Sequence, residues 1–421
     1  MSLVPYSFRL GDPLSDVAVS DVIPTKSISW QKKVLFVLVG TIFLLVLLFC
    51  LGEVGLRILG FFWPTFRSTA FRQYDPELGI SLIPNTHAFH HMGCFSGEVE
   101  VNRWGMRDRG RLLEKTPGEF RIALIGDSLV EAPHVKPDEV MNIRMEKLLA
   151  EKGYKNVEVL NFSVEGIGTT QEYLIYQRQV RQFHPDVVIL ATVANDVMNN
   201  SSTLQPKAYG IHTWYAPYYD LGPDGNLIFR PVEARSFNSI RSFLETHSRL
   251  TYYLVRAWMK FVNYSPYKWD GIYIGYRVCS DQLDAEWEQA WAVTDKVLNR
   301  FRNDVQADGA KFVVMVPPEF YQTDLNWKEW FTKDEGKIPA TFSETAFDKR
   351  MQQIAARNQI AVDFLAPYFQ AYRDEHHLQY PYFSFTCNHH YSALGHEVAA
   401  EAMIQKMEER HLLPPRSASE P

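Results

Sequence analysis

Residues 34–52 read VLFVLVGTIFLLVLLFCLG, a run of 19 positions without a charge. At 1.5 Å per residue a helix of that length spans about 28 Å, roughly the hydrocarbon thickness of a bilayer. The run is apolar on every face and lies outside the domain proposed below, so a membrane span fits it better than a buried helix in a soluble core. Several acidic residues precede it and no small-x-small site follows Leu51, so it reads as an uncleaved anchor rather than a signal peptide. Leu48 and Phe49 deny Cys50 the small neighbours of a lipoprotein cleavage site, which leaves that cysteine lipid-facing or packed. Lys26, Lys32 and Lys33 before the run are only narrowly matched against Arg57, Arg67 and Arg72 after it, and the tilt is toward the N-terminus inside. The chain is therefore expected to be a single-pass membrane protein whose larger part lies on the periplasmic or extracellular side.

The remaining residues must fold as a separate body. Of the 421 residues 46% are hydrophobic and 22% charged, which excludes a disordered chain. The net charge of -6 with no basic block argues against nucleic acid as a partner. Four cysteines are too few and too scattered for a disulfide scaffold or a CxxC zinc site, and leave room for one bridge among Cys94, Cys279 and Cys387.

Residues 53–119 hold turn signals at Asp75-Pro76 and Pro84-Asn85 and read as a β-rich lead-in to a domain over 120–411. From residue 120, apolar runs at 121–126, 157–161, 187–192, 311–316 and 360–364 alternate with helical patterns at 141–151, 170–182, 285–308, 346–357 and 393–409. That alternation predicts a three-layer α/β/α sandwich around a mostly parallel five-stranded sheet. Residues 201–280 interrupt it with a Tyr-, Trp- and Pro-rich insertion, helix-like over 240–261, that reads as a lid, a substrate wall or core packing. Residues 1–33 and 412–421 are tails.

The first strand ends in Gly126-Asp127-Ser128, at the carboxyl edge where parallel sheets place their ligands. The second ends in Asn161-Phe162-Ser163-Val164-Glu165-Gly166, and the third in Thr192-Val193-Ala194-Asn195-Asp196. Cys387-Asn388-His389-His390 precedes Gly395-His396 at the final helix. Taken singly, each is as well explained by a turn or a cap. In this order over about residues 102–409 they resemble the four blocks of the SGNH hydrolases, the GDSL esterase/lipase family. The segments Asn102-Arg103-Trp104-Gly105-Met106-Arg107-Asp108 and Gly168-Thr169-Thr170-Gln171-Glu172 resemble its membrane-anchored bacterial branch, with structural roles implied.

The resemblance implies Ser128 as nucleophile, His390 as general base, and an oxyanion hole from the Ser128 and Gly166 backbones and the Asn195 side chain. Asp127 would brace the nucleophile turn, and His389 and His396 would be weaker candidates for the base. Ala194 stands where many members have Gly. The carboxylate that orients the histidine in the family is Asn388 here, with Cys387 beside it, and in a serine triad an Asp-to-Asn change costs about four orders of magnitude. An amide orienter at Asn388, a displaced carboxylate such as Asp363, and a degenerate site all remain open.

His87, His90, His91 and Cys94, and the pair His376 and His377, lack a metal-site pattern, so no metal or cofactor is expected. Trp287, Trp291, Trp327 and Trp330 could stack on sugars, but at helical spacing they read as core. The expected function is a membrane-anchored serine esterase that hydrolyses an acyl ester of carbohydrate or lipid. The rivals are an acyltransferase to an extracytoplasmic polysaccharide and a silent domain that binds a glycan or partner.

Overall fold

The computed structural model describes residues 29–209, 216–233, 236–262, 267–379, 382–385 and 387–416, so much of both expected tails lies outside the described residues. The chain divides into two units, Met1–Gly52 and Glu53–Pro421.

A helix over Trp30–Phe62 carries the uncharged run, and the most apolar stretch of it is wholly unburied. It is long and apolar enough to cross a membrane. The helix outlasts the expected run because residues 53–62 contain no proline, the first being Pro64, and Arg57 pairs with Glu53 one turn earlier at 2.8 Å.

Within the second unit, the lead-in folds into two antiparallel hairpins. Strands β1 (Arg72–Asp75) and β2 (Gly79–Leu82) form one, and β3 (Thr86–Met92) and β4 (Phe95–Val101) the other. The main sheet consists of β5 (Phe120–Gly126), β6 (Val157–Ser163), β7 (Val187–Ala191), β12 (Lys311–Val316) and β13 (Ala361–Phe364). Four short strands intervene in the chain as antiparallel pairs: β8 (Tyr218–Leu221) with β9 (Leu227–Arg230), and β10 (Lys268–Trp269) with β11 (Ile272–Tyr273).

The five main strands are all parallel, in the spatial order β6-β5-β7-β12-β13. The chain therefore reverses its direction of sheet growth between β5 and β7, the crevice where open α/β sheets bind ligands.

Strand alternation builds two cores. Ile122 and Leu124 of β5 join Met141, Met145 and Leu149 of helix Met141–Glu151 and Val398 and Met403 of helix Ala393–Glu409. Their neighbours Ala123 and Ile125 face the other way, toward Tyr173 and Tyr176 of helix Thr169–Arg178 and Val297 and Phe301 of helix Ala285–Ala307. A period of two with both faces apolar requires a layer of helices on each side, which gives the α/β/α sandwich. Trp287, Trp291 and Trp327 are buried within the second core.

Two local expectations are corrected, and one left open is resolved. The pattern over 170–182 is an α-helix only to Arg178, followed by a 3₁₀ turn at Val180–Phe183. The stretch 240–261 is two helices, Ser236–His247 and Arg249–Val262, because Ser248 Oγ accepts from Thr251 N at 3.0 Å and caps a new start. The bridge joins Cys94 to Cys387, leaving Cys279 free and buried. Cys94 is thus taken up in the bridge, and His90 lies buried between Phe71 and Phe95.

Candidate active site

Ser128 opens the short helix Ser128–Glu131 that follows β5, and Asp127 caps that helix. Asp127 Oδ1 accepts from Leu129 N at 3.1 Å, and its Oδ2 accepts from Asn195 Nδ2 at 3.0 Å. The aspartate therefore fixes the turn that presents the serine and ties it to the end of β7. The β5–β7 approach needs Gly126, since a Cβ there would meet Val130 Cγ2 at 2.5 Å and Ala191 O at 3.0 Å.

Gly166 follows β6 with φ +79°, a left-handed backbone that glycine adopts without strain. Ser128, Gly166 and Asn195, from the ends of three neighbouring strands, line one cavity with Asn388 and His390. Its volume is about 680 Å³.

The lead-in segment holds this frame in place. Arg107 donates to the Glu131 and Val135 carbonyls at 3.1 and 2.6 Å, and Asp108 accepts from Asn161 N at 3.2 Å.

His390 Nε2 lies 2.8 Å from Ser128 Oγ, and its Nδ1 lies 3.0 Å from the backbone carbonyl of Asn388. A carbonyl only accepts, so Nδ1 carries the proton and Nε2 is left to accept from the serine hydroxyl. Asn388 thus orients the histidine through its main chain, while its side-chain Oδ1 accepts from His390 N at 3.3 Å. Asp363 stands elsewhere, held by Arg410 Nη2 at 2.9 Å. His389 packs against Phe320 and Trp330, and His396 is wholly buried. Neither takes the place of His390 beside Ser128.

Sequence reading missed a second layer. The ring of His134 stacks on His390 with centroids 4.0 Å apart and planes 26° apart. Burial pushes His134 far below the usual imidazole range, and the neighbouring His390 adds to that, so a neutral ring covers one face of the base. Glu165 and Glu131 share Arg72, whose Nη2 lies 2.5 Å from each. Burial alone would raise Glu165, but Arg72, then His390 and His90, take it below the usual carboxylate range. Asp127 is raised by burial, against hydrogen bonds from Asn195 and Leu129 and the charge of His390. Asp127 and Glu165 thus lie near His390, while its ring nitrogens meet Ser128 Oγ and the Asn388 carbonyl. The Ala-Pro-His sequence after the serine helix was the one signal for His134, and nothing in it announces a stack.

A GDSL-like lipase/acylhydrolase family model matches residues 122–403. No curated protein matches the chain. Similar solved structures include a lipase/acylhydrolase from Enterococcus faecalis, 14% identical, covering 71% of this chain and 100% of its own, with a TM-score of 0.36. The acetyl xylan esterase AlAXEase is 13% identical over 68% of this chain and 99% of its own, with a TM-score of 0.38. An acetylxylan esterase from Geobacillus stearothermophilus is 12% identical over 70% and 96%, with a TM-score of 0.36.

Proposed function

The chain belongs to the GDSL-like lipase/acylhydrolase family and is an ester-bond hydrolase, and from that premise we propose that it works through Ser128 and His390 as a membrane-anchored serine esterase. Ser128 Oγ attacks the acyl carbonyl carbon while its proton passes to His390 Nε2. The carbonyl oxygen becomes an oxyanion that takes hydrogen bonds from Ser128 N, Gly166 N and Asn195 Nδ2. One Asn195 amide hydrogen already serves Asp127, which leaves the other for the oxyanion. Collapse breaks the ester C–O bond, and the leaving alcohol takes the proton from Nε2. Water then attacks the acyl-serine by the same proton path and frees the acid.

A positive imidazolium forms in each step. In place of a triad carboxylate, the Asn388 carbonyl dipole on Nδ1 faces that charge. The observation that carries the reading is the 2.8 Å contact between His390 Nε2 and Ser128 Oγ. It also weighs against a silent binding domain, because a base with a fixed tautomer serves no purpose in simple binding.

The substrate class is an acyl ester of a carbohydrate or lipid. The cavity favours transfer to a hydroxyl acceptor as the second reading, since about 680 Å³ is far more than a small acyl group fills and lies in the range of whole-ligand sites. The helix Trp30–Phe62 serves as the anchor, and the Cys94–Cys387 bridge suits a catalytic unit outside the cytoplasm.

The test is labelling of the full-length chain in detergent by a fluorophosphonate probe, beside Ser128→Ala and His390→Ala. Stoichiometric labelling that both substitutions abolish is expected. A folded wild-type chain that takes no label ends the esterase reading, and a rate that rises with added alcohol acceptor favours transfer.

A further inference from the structure

Helices Ser236–His247 and Arg249–Val262 form a hairpin with two unlike sides. One side lines the cavity through Arg241, Glu245, Tyr252, Val255 and Met259. The other carries Ile240, Phe243 and Leu244 on the first helix and Leu254, Trp258 and Phe261 on the second, at one-turn spacing. Each of these six exposes between 43% and 79% of its surface. Six large apolar side chains on adjoining helices exceed the scattered exposure normal for a soluble surface.

The hairpin is fastened where the chain leaves its apolar run. Glu53 Oε2 accepts from Ser248 Oγ at 3.0 Å and from Leu250 N at 2.9 Å, and Tyr253 Oη donates to the Thr65 carbonyl at 2.8 Å. Val54, Ile58, Phe61, Phe62 and Trp63 in the same stretch of chain are exposed as well. Of the four basic residues in 236–262, Arg241 and Arg256 line the cavity and Arg241 pairs with the one acid, Glu245, at 2.6 Å, which leaves Arg249 and Lys260 off the cavity in a chain whose net charge is -6. Basic residues on a helix with Trp, Phe and Leu on its outer face are the composition of a segment that lies in a membrane interface.

We propose that the 236–262 hairpin docks on an anionic lipid surface, with Phe243, Leu254, Trp258 and Phe261 among the headgroups, so that the cavity behind it receives acyl esters from that bilayer. The proposal rests on residues 34–52 being a span and on Ser128 and His390 being the reactive pair. It adds to both that the membrane is the surface on which substrate is found.

The test uses the full chain with Cys50→Ala in nanodiscs of phosphatidylcholine and phosphatidylglycerol. Single cysteines at Phe243→Cys, Trp258→Cys or Phe261→Cys carry an environment-sensitive fluorophore, with Lys349→Cys as an aqueous control and Leu44→Cys as a span control. Headgroup-nitroxide lipids should quench the hairpin sites several-fold more than Lys349→Cys, and deep nitroxides should quench Leu44→Cys. Quenching at Leu44→Cys alone overturns the docking and leaves the span standing. No quenching at either overturns both readings. A blue shift without lipid quenching shows the face covered by protein, a second copy included, and also overturns the docking.

A functional arm separates docking from chemistry. The Phe243→Ser/Trp258→Ser/Phe261→Ser variant should keep turnover of soluble p-nitrophenyl acetate within about twofold, and fall about tenfold on a fluorogenic phosphatidylglycerol in the nanodisc. Equal effects on both substrates overturn the docking. Absence of fluorophosphonate labelling in the wild-type chain overturns the site reading instead.

Discussion

The two halves of the site are held by different means. Ser128, Gly166 and Asn195 stand at the ends of β5, β6 and β7, whose register is fixed by continuous parallel pairing. His390 sits in irregular chain before helix Ala393–Glu409, held by a disulfide three residues earlier and by main-chain bonds such as Phe385 N to His390 O at 2.8 Å. On the strand side the fold positions the chemistry, and residue identity supplies it. On the histidine side a covalent tether positions it, and the orienting group is a peptide carbonyl that any residue would provide.

The sharpest break in this comparison is on the strand side. Under the proposed mechanism Asn195→Ala removes an oxyanion donor, and it should lower kcat by about 10²–10³-fold with little change in KM, as steady-state kinetics would read. Equal losses in kcat and binding would return the residue to a turn role. On the loop side, Cys94→Ser/Cys387→Ser should cost about 2–4 kcal/mol in denaturant unfolding and lower kcat, while Ser128 stays in its strand-end frame. An unchanged kcat would mean that the loop needs no tether.

A smaller effect concerns Glu319, which burial, and then the charge of Asp127, push from its ordinary 4.5 up to about 7. Its folded value lies above the unfolded one, so between about 4.5 and 7 the unfolded chain releases a proton that the folded chain keeps. This group's contribution to stability is present below that window and is lost as pH rises through it. Glu319→Gln should flatten that part of the Tm-against-pH curve, and a curve of unchanged slope would contradict the assignment. The smallest effect is expected at Asn388→Ala, which keeps the carbonyl on His390 Nδ1 and should change kcat by less than about fivefold, the loss of one weak hydrogen bond. A loss near 10⁴-fold would place the orienting role in the side chain after all.

These differences also mark how far the sequence could be read. Apolar alternation located β5, β7 and β12 to within a residue at each end, because strands buried on both faces leave little freedom. The strand ends at Gly126 and near Asn195 followed from that alternation, whereas their chemistry came only from the family resemblance of the blocks. The break at Ser248 was missed because no Gly or Pro marks it, although a capping serine is a readable signal. The carbonyl orienter was not legible, since a main-chain acceptor leaves no trace in residue identity. The His134 stack joins positions far apart in the chain, and no local pattern encodes it.

The bridge between Cys94 and Cys387 also sets an order in time. The two thiols are 293 positions apart, so at about 5–20 residues per second the first waits roughly 15–60 s for its partner to be synthesised. Cys279 emerges in between, and until it is buried it is the nearer, wrong partner. The β3–β4 hairpin, which carries Cys94 in its turn, can thus be joined to the histidine loop only when almost the whole chain has been made. Closing the bridge is then a matter of thiol chemistry and delay, completed only after nearly all of the chain has been made.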